Sequence, residues 1–172
     1  MQKVILTGPE SSGKTTLANA LAAYYRVPVV PEYARIFLEK LNSKNYTYED
    51  FVKIALGQHL QEQTAIANAT KAPIILDTSF LVLKIWSEVK YGHCEPFILE
   101  HLQRHHDALF ILCAPDIEWE ADPLRENPKD RDKLFIQYQK TLKTIGFDYI
   151  IANGSRDNRL KNSLLAISQR MP

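Results

Sequence analysis

Residues 3–16 read KVILTGPESSGKTT. Val4-Ile5-Leu6 is a short apolar run, and Gly8-Pro9-Glu10-Ser11-Ser12-Gly13-Lys14-Thr15 after it matches G-x-x-x-x-G-K-[ST] at every fixed position. Lys14 to Tyr25 then predicts a helix, with apolar positions at Leu17, Leu21 and Tyr24/Tyr25. Strand, glycine loop and helix in this order aim consecutive backbone N–H groups at one point, where the helix dipole also favours an anion. The glycines keep Cβ atoms away from that point. The stretch therefore predicts a cradle for the phosphates of a nucleoside triphosphate, formed by Gly8, Glu10, Ser11, Ser12, Gly13, Lys14, Thr15 and Thr16. Lys14 is expected to bridge the β- and γ-phosphates and the Thr15 hydroxyl to ligate Mg²⁺.

Four more apolar runs follow: 28–30 (PVV), 73–76 (PIIL), 109–112 (LFIL) and 149–151 (YII). None alternates polar with apolar, the pattern of strands covered on both faces. Segments long enough for helices separate them, and Thr47-Tyr48-Glu49-Asp50 reads as a helix start with Thr47 as N-cap, opening a helix to about Thr70. The alternation predicts an α/β fold, a three-layer doubly wound parallel sheet; with the phosphate cradle added, the overall reading is the P-loop kinase type, with strand order 2-3-1-4-5 expected. A single domain over 1–172 is expected, with Asn42 to Asn45 a polar joint between helices and Gln169 to Pro172 a frayed end.

Three positions around the cradle carry further chemistry. Asp77 ends the third run, where a carboxylate can hold Mg²⁺ through water; it would equally serve as N-cap of a helix starting at Ser79. Glu32 and Arg35, in Pro31-Glu32-Tyr33-Ala34-Arg35, follow the second run, on the rim where a doubly wound sheet binds ligands. Glu32 can accept a hydrogen bond from a hydroxyl or take its proton, and Arg35 can hold another hydroxyl or a phosphate; the bland alternative is an exposed i,i+3 ion pair. Residues 116–131, DIEWEADPLRENPKDR, have no helical or strand period, and a kinase must exclude water from the transferred phosphate. They read as a lid that brings Arg125 and Arg131 to the reaction. No guanine-binding NKxD signature occurs, and Asp77-Thr78 lacks the acidic pair usual in mechanical ATPases. A small-molecule kinase is the reading, with Lys14, Glu32, Asp77, Arg125 and Arg131 as catalytic candidates and Thr15 and Asp77 at the metal. An ATP-binding regulator without an acceptor is the alternative from another class.

The ordered set GPESSGKTTLA, PEYAR, Gly57-Gln58, LDT with Trp86 in the next helix, and PDIEW followed by arginines resembles the ribosylnicotinamide kinase domain of NadR-type proteins. The resemblance runs from Lys3 to about Ile167. It implies transfer of the γ-phosphate of ATP to the 5′-hydroxyl of nicotinamide riboside, giving the mononucleotide, with ribose contacts from Glu32 and Arg35. It further implies contacts of Gln58 and Trp86 with the nicotinamide-bearing end, and of Asn153 with the adenine; otherwise Gln58 is a solvated helix residue and Trp86 a core one. Asp122-Pro123 departs from the glycine common at that point of the lid, and proline there would alter lid closure. The adenylyltransferase domain that precedes the kinase in bifunctional members has no counterpart in these 172 residues.

Bulk properties limit the partners. A formal net charge of +1 gives no field for nucleic acid or anionic membrane, and no apolar run is long enough to span a bilayer. ATP and a small nucleoside are the expected ligands. Cys94 and Cys113 lack CxxC spacing and no leader precedes the first strand, so a cytoplasmic protein with reduced thiols is expected. His93, His101, His105 and His106 cluster in sequence, and His101/His105 share a helix face at ligand spacing. Without an accompanying glutamate motif they read as solvated residues rather than a metal site.

Overall fold

The computed structural model describes residues 2–41, 45–122 and 129–170. Five parallel strands form one sheet: β1 (Lys3–Thr7), β2 (Val29–Val30), β3 (Ile74–Asp77), β4 (Leu109–Cys113) and β5 (Tyr149–Ala152), in the order β2-β3-β1-β4-β5. The expected order holds. Register is continuous across the sheet, with Ile5 opposite Leu76 and Phe110, and Leu112 opposite Ile151.

Each strand sends alternate side chains to opposite faces, and both faces are covered. Val4, Leu6, Ile75, Leu109 and Ile111 pack with Leu17, Ala18, Leu21 and Ile167, the inner faces of α1 (Lys14–Tyr25) and α7 (Arg156–Ser168). Ile5, Ile74, Leu76, Phe110 and Leu112 pack on the other side against α2 (Tyr33–Leu41), α3 (Tyr48–Asn68), α4 (Phe80–Tyr91), α5 (Pro96–Gln103) and α6 (Arg131–Ile145). That is why the runs read as continuous apolar stretches. Tyr24, expected on an apolar face of α1, is instead exposed, and so is Ile66 near the end of α3.

The α3 start forms as predicted: Thr47 accepts from the Asp50 backbone and Asp50 returns a bond to the Thr47 backbone, a complete capping box. At α4 the N-cap position falls to Ser79, so Asp77 is not a cap and its carboxylate is left for other work. Most of the joint at 42–45, and the last two residues of the chain, lie outside the described residues.

Because all strands run the same way, the segments after their C-terminal ends gather along one edge. There stand the 8–13 loop after β1, Glu32 after β2, Asp77 at the end of β3, Asp116 after β4 and Gly154 after β5.

Candidate active site

Gly8 opens the loop at φ +131°, and a Cβ on it would sit 2.7 Å from the Cys113 carbonyl oxygen. Only glycine lets the loop leave β1 this close to β4. Gly13, at φ +80°, turns the chain into α1. Inside the loop the Ser12 hydroxyl donates to the Pro9 carbonyl at 2.8 Å. Lys14 Nζ lies across the cradle, donating to the carbonyls of Gly8 at 3.0 Å and Pro9 at 2.7 Å.

Thr15 Oγ1 donates to Asp77 Oδ2 at 2.6 Å, joining the first turn of α1 to the tip of β3. Asp77 Oδ1 is buried without a hydrogen-bond partner. Burial lifts the Asp77 carboxyl above its usual range, against the pull of the Thr15 hydrogen bond, Lys14 and Arg35. A hydroxyl and a carboxylate with an unpartnered oxygen, side by side at a phosphate cradle, fit a hard divalent cation such as Mg²⁺.

A cleft of about 690 Å³ extends from the cradle in two directions. One end is walled by Ile117, Gly154, Ser155, Arg156 and Leu160. The other is walled by Glu32, Arg35, Leu38, Val82, Trp86 and Tyr138. Burial lifts the Glu32 carboxyl above the ordinary carboxylate range; Lys14 and Arg35 pull it down while Asp77 and Glu10 push it up. Burial likewise raises the Tyr138 hydroxyl, and the carboxylates of Glu32 and Glu10 add to that, so Tyr138 stays neutral. Trp86 is both core and wall: its ring packs on Tyr46 and Phe51 and its Nε1 donates to the Tyr46 hydroxyl at 2.8 Å, while it also faces the cleft.

The segment 116–122 lies over the loop. Ser11 Oγ accepts from the Glu120 amide at 2.9 Å. Arg131, at the start of α6, donates to the carbonyls of Ser11 and Ile117, each at 3.0 Å. Arg35 turns to Asp122 at 3.1 Å and, more distantly, to Glu39, so it ties α2 to the segment over the cradle, and the bland alternative of an i,i+3 pair with Glu32 is not what forms. Arg125 lies outside the described residues.

Arg159 was not apparent from the sequence. It is buried on α7 and donates to the carbonyls of Ser12, Ala114 and Gly154 and to the Asp116 carboxylate. Asp116 also accepts from the Gly154 amide at 2.6 Å. One guanidinium thus fastens the phosphate loop, the β4 exit and the β5 exit together. No motif marks Arg159, because its partners are carbonyls spread over the chain.

Other expectations are corrected. Gln58 is neither solvated nor at the cleft; it is 2% exposed, with Oε1 accepting from the Tyr33 amide at 3.0 Å and Nε2 donating to Glu62 at 2.9 Å. Asn153 is exposed, and its neighbours Gly154 and Ser155 line the cleft. His101 and His105 are buried rather than solvated, His101 Nδ1 donating to the Phe97 carbonyl at 2.7 Å and the ring packed on those of Phe97 and Phe80. Among the described residues no three or more histidines, cysteines or acids come together as a metal-ligand cluster. Nor is any described helix long and apolar enough to cross a membrane.

The strand order and the cradle at the head of α1 define the fold of the P-loop kinases. A family model described as an AAA domain, AAA_28, matches residues 3–159, and the chain belongs to that family. It is 31% identical over 140 residues to the trifunctional NAD biosynthesis/regulator protein NadR of Salmonella typhimurium, a match covering 80% of this chain and 34% of that protein. The Escherichia coli K12 protein of the same description is 32% identical over the same length. The chain thus spans about a third of the length of these relatives. A crystal structure of NadR protein in complex with NR superposes with a TM-score of 0.82 at 21% identity, covering 98% of this chain and 50% of that one. Deoxyadenosine kinase from M. mycoides, with bound dCTP, superposes at 0.63 and 12% identity, with 97% and 99% covered. The resemblance to NadR-type proteins drawn from PEYAR and PDIEW is borne out.

Proposed function

We propose that the chain is an ATP-dependent kinase that transfers the γ-phosphoryl group to the 5′-hydroxyl of nicotinamide riboside, giving nicotinamide mononucleotide. The observation that carries this reading is the two-ended cleft, in which one phosphate cradle serves an end walled by Ile117, Leu160 and Arg156, and an end walled by a carboxylate, an arginine and two aromatic rings. Trp86 and Tyr138 suit a flat ring, and a cationic pyridinium gains from aromatic faces. The match to NadR, one structure of which is described as a complex with NR, supports the same acceptor.

In this reading the triphosphate lies on the amides of the 8–13 loop, and Lys14 leaves the Gly8 and Pro9 carbonyls for its β- and γ-oxygens. Glu32 faces the acceptor hydroxyl with a carboxyl already raised by burial, suited to taking a proton as the bond to phosphorus forms. Asp77 stands close enough to share that work. Arg131 comes within reach of the transferred group when residues 116–122, which lie over the loop and to which it is bonded at Ile117, shift as a lid, which also excludes water. Mg²⁺, when bound by Thr15 and Asp77, supplies charge neutralisation across the phosphates. A kinase drawing on ATP, with both cysteines free, fits the cytoplasm.

ADP release from Mg²⁺–ATP, measured across a nucleoside panel, tests the reading. Turnover confined to nicotinamide riboside, with the mononucleotide as product, is expected. Turnover on another nucleoside would replace the acceptor but keep the chemistry, and ATP binding without acceptor-dependent turnover would leave a regulator.

A further inference from the structure

Glu62 is a carboxylate 3% exposed in the middle of α3 and does not line the cleft. A charge so placed is costly unless its oxygens are fully engaged. They are. Oε1 accepts from Gln58 Nε2 at 2.9 Å and from Ser79 Oγ at 2.8 Å, while Oε2 faces His105 Nε2 at 3.3 Å. Ser79 Oγ has one proton and gives it to Glu62, so its 2.9 Å contact with His105 Nε2 requires the imidazole to donate there. The remaining nitrogen, His105 Nδ1, is buried without a partner, which suits a bare lone pair better than an N–H. Gln58 has no freedom to flip, because its oxygen receives the Tyr33 amide.

The two ends of this network are telling. Tyr33 opens α2 directly after Glu32, and its amide is one of the helix-start donors that need an acceptor. Gly57 clears the space: a Cβ there would come within 2.0 Å of the Tyr33 ring. Ser79 stands two residues after Asp77, across Thr78, a β-branched residue held at φ +75°. Such a conformation persists only where its surroundings fix it.

We infer that Gln58, Glu62, Ser79 and His105 are positioning residues that brace Glu32 and Asp77, the carboxylates on two separate strand ends, at a fixed relation across the acceptor site. The inference rests on the kinase reading for its catalytic readout. The brace spans α3, the β3–α4 corner and the turn after α5, so the acceptor corner is set from behind by groups that never touch substrate.

The test compares wild type with Gln58→Met, Glu62→Leu, Glu62→Gln and the minimal Ser79→Ala. Each is assayed for phosphoryl transfer to nicotinamide riboside, thermal melting and hydrogen exchange at the Tyr33 amide. Gln58→Met and Glu62→Leu are expected to lower kcat about 10–100-fold with KM for ATP unchanged, since small misplacements at a reacting centre have effects of that size. Tyr33 exchange should quicken in both. Glu62→Gln should restore kcat in part, because its amide oxygen still accepts from Gln58 and Ser79 while its NH2 group meets the His105 Nε2–H that the carboxylate had faced. Ser79→Ala removes one hydroxyl without leaving a large void, and should lower kcat while the protein stays folded. Folded variants with wild-type kcat and wild-type Tyr33 exchange would overturn the brace, as would a Glu62→Gln no better than Glu62→Leu. A wild type inert toward the nucleoside would sink the kinase reading alone, with the brace still judged by Tyr33 exchange.

Discussion

The two ends of the cleft are built in opposite ways. The proposed phosphate end is one stretch of chain, residues 8–16, whose backbone shapes the cradle and whose Ser12 and Lys14 side chains bond back to the loop itself. The acceptor end is assembled from side chains on α2, α4 and α6, held by a buried network on α3. A backbone cradle serves any nucleoside triphosphate, whereas a wall of separate side chains can be changed one residue at a time. Catalytic rate should therefore depend on both ends, and acceptor choice on one.

Substitutions can break that contrast. The largest effect is expected from Glu32→Gln, which removes the carboxylate proposed to take the hydroxyl proton and should lower kcat about 10²–10⁴-fold with ATP affinity unchanged by calorimetry. A parallel loss of ATP affinity would mean the two ends are not separable. Lys14→Met should reduce kcat about 10²–10³-fold for every acceptor that is phosphorylated, the size seen when one preorganised donor is lost. If the loss varied among acceptors, the cradle would be reading the acceptor as well. Trp86→Ala should raise KM for the nucleoside by up to about tenfold, as befits an aromatic contact of about 0.5–1.5 kcal/mol, and leave KM for ATP alone.

The smallest effect concerns stability. The folded carboxyl of Glu32 is raised, chiefly by burial, so ionising it penalises the folded chain more than the unfolded one. That penalty is absent below the ordinary carboxylate range near about pH 4 and grows as pH rises through the raised value. Glu32→Gln should therefore melt above wild type at neutral pH by a few degrees, with the difference closing as the pH falls toward that range. A constant difference at all pH values would assign the effect to packing.

The same contrast explains what could be read from the chain before its structure. The five strands and the cradle were legible because each is written contiguously: five apolar runs, and eight consecutive residues from Gly8 to Thr15. Glu32, Arg35 and Asp77 were found by their place just beyond strand ends. Arg159 escaped notice because its four partners are spread from Ser12 to Gly154. Gln58, His101 and His105 were misread since burial of a polar residue depends on which helices meet over it, and helical spacing alone says nothing of that. Arg35 stood where expected, but its partner Asp122 lies 87 positions away in sequence (122 − 35).

Arg131 and Lys14 share a final trait. Their described hydrogen bonds go to main-chain carbonyls: those of Ser11 and Ile117 for the first, and of Gly8 and Pro9 for the second. A neutral oxygen orients a cation without cancelling it, so both side chains are fixed while their charge still reaches into solvent. Lys14 also stands beside the carboxylates of Glu32 and Asp77, and the cleft carries Glu10, Glu118 and Glu120 as well, so these cations act on a polyanion at contact rather than from a distance, in a chain whose overall charge is only +1. Capture of the nucleotide should therefore change little with added salt while the screening length stays at about 10 Å, as at 0.1 M, and weaken only as it approaches about 3 Å at 1 M.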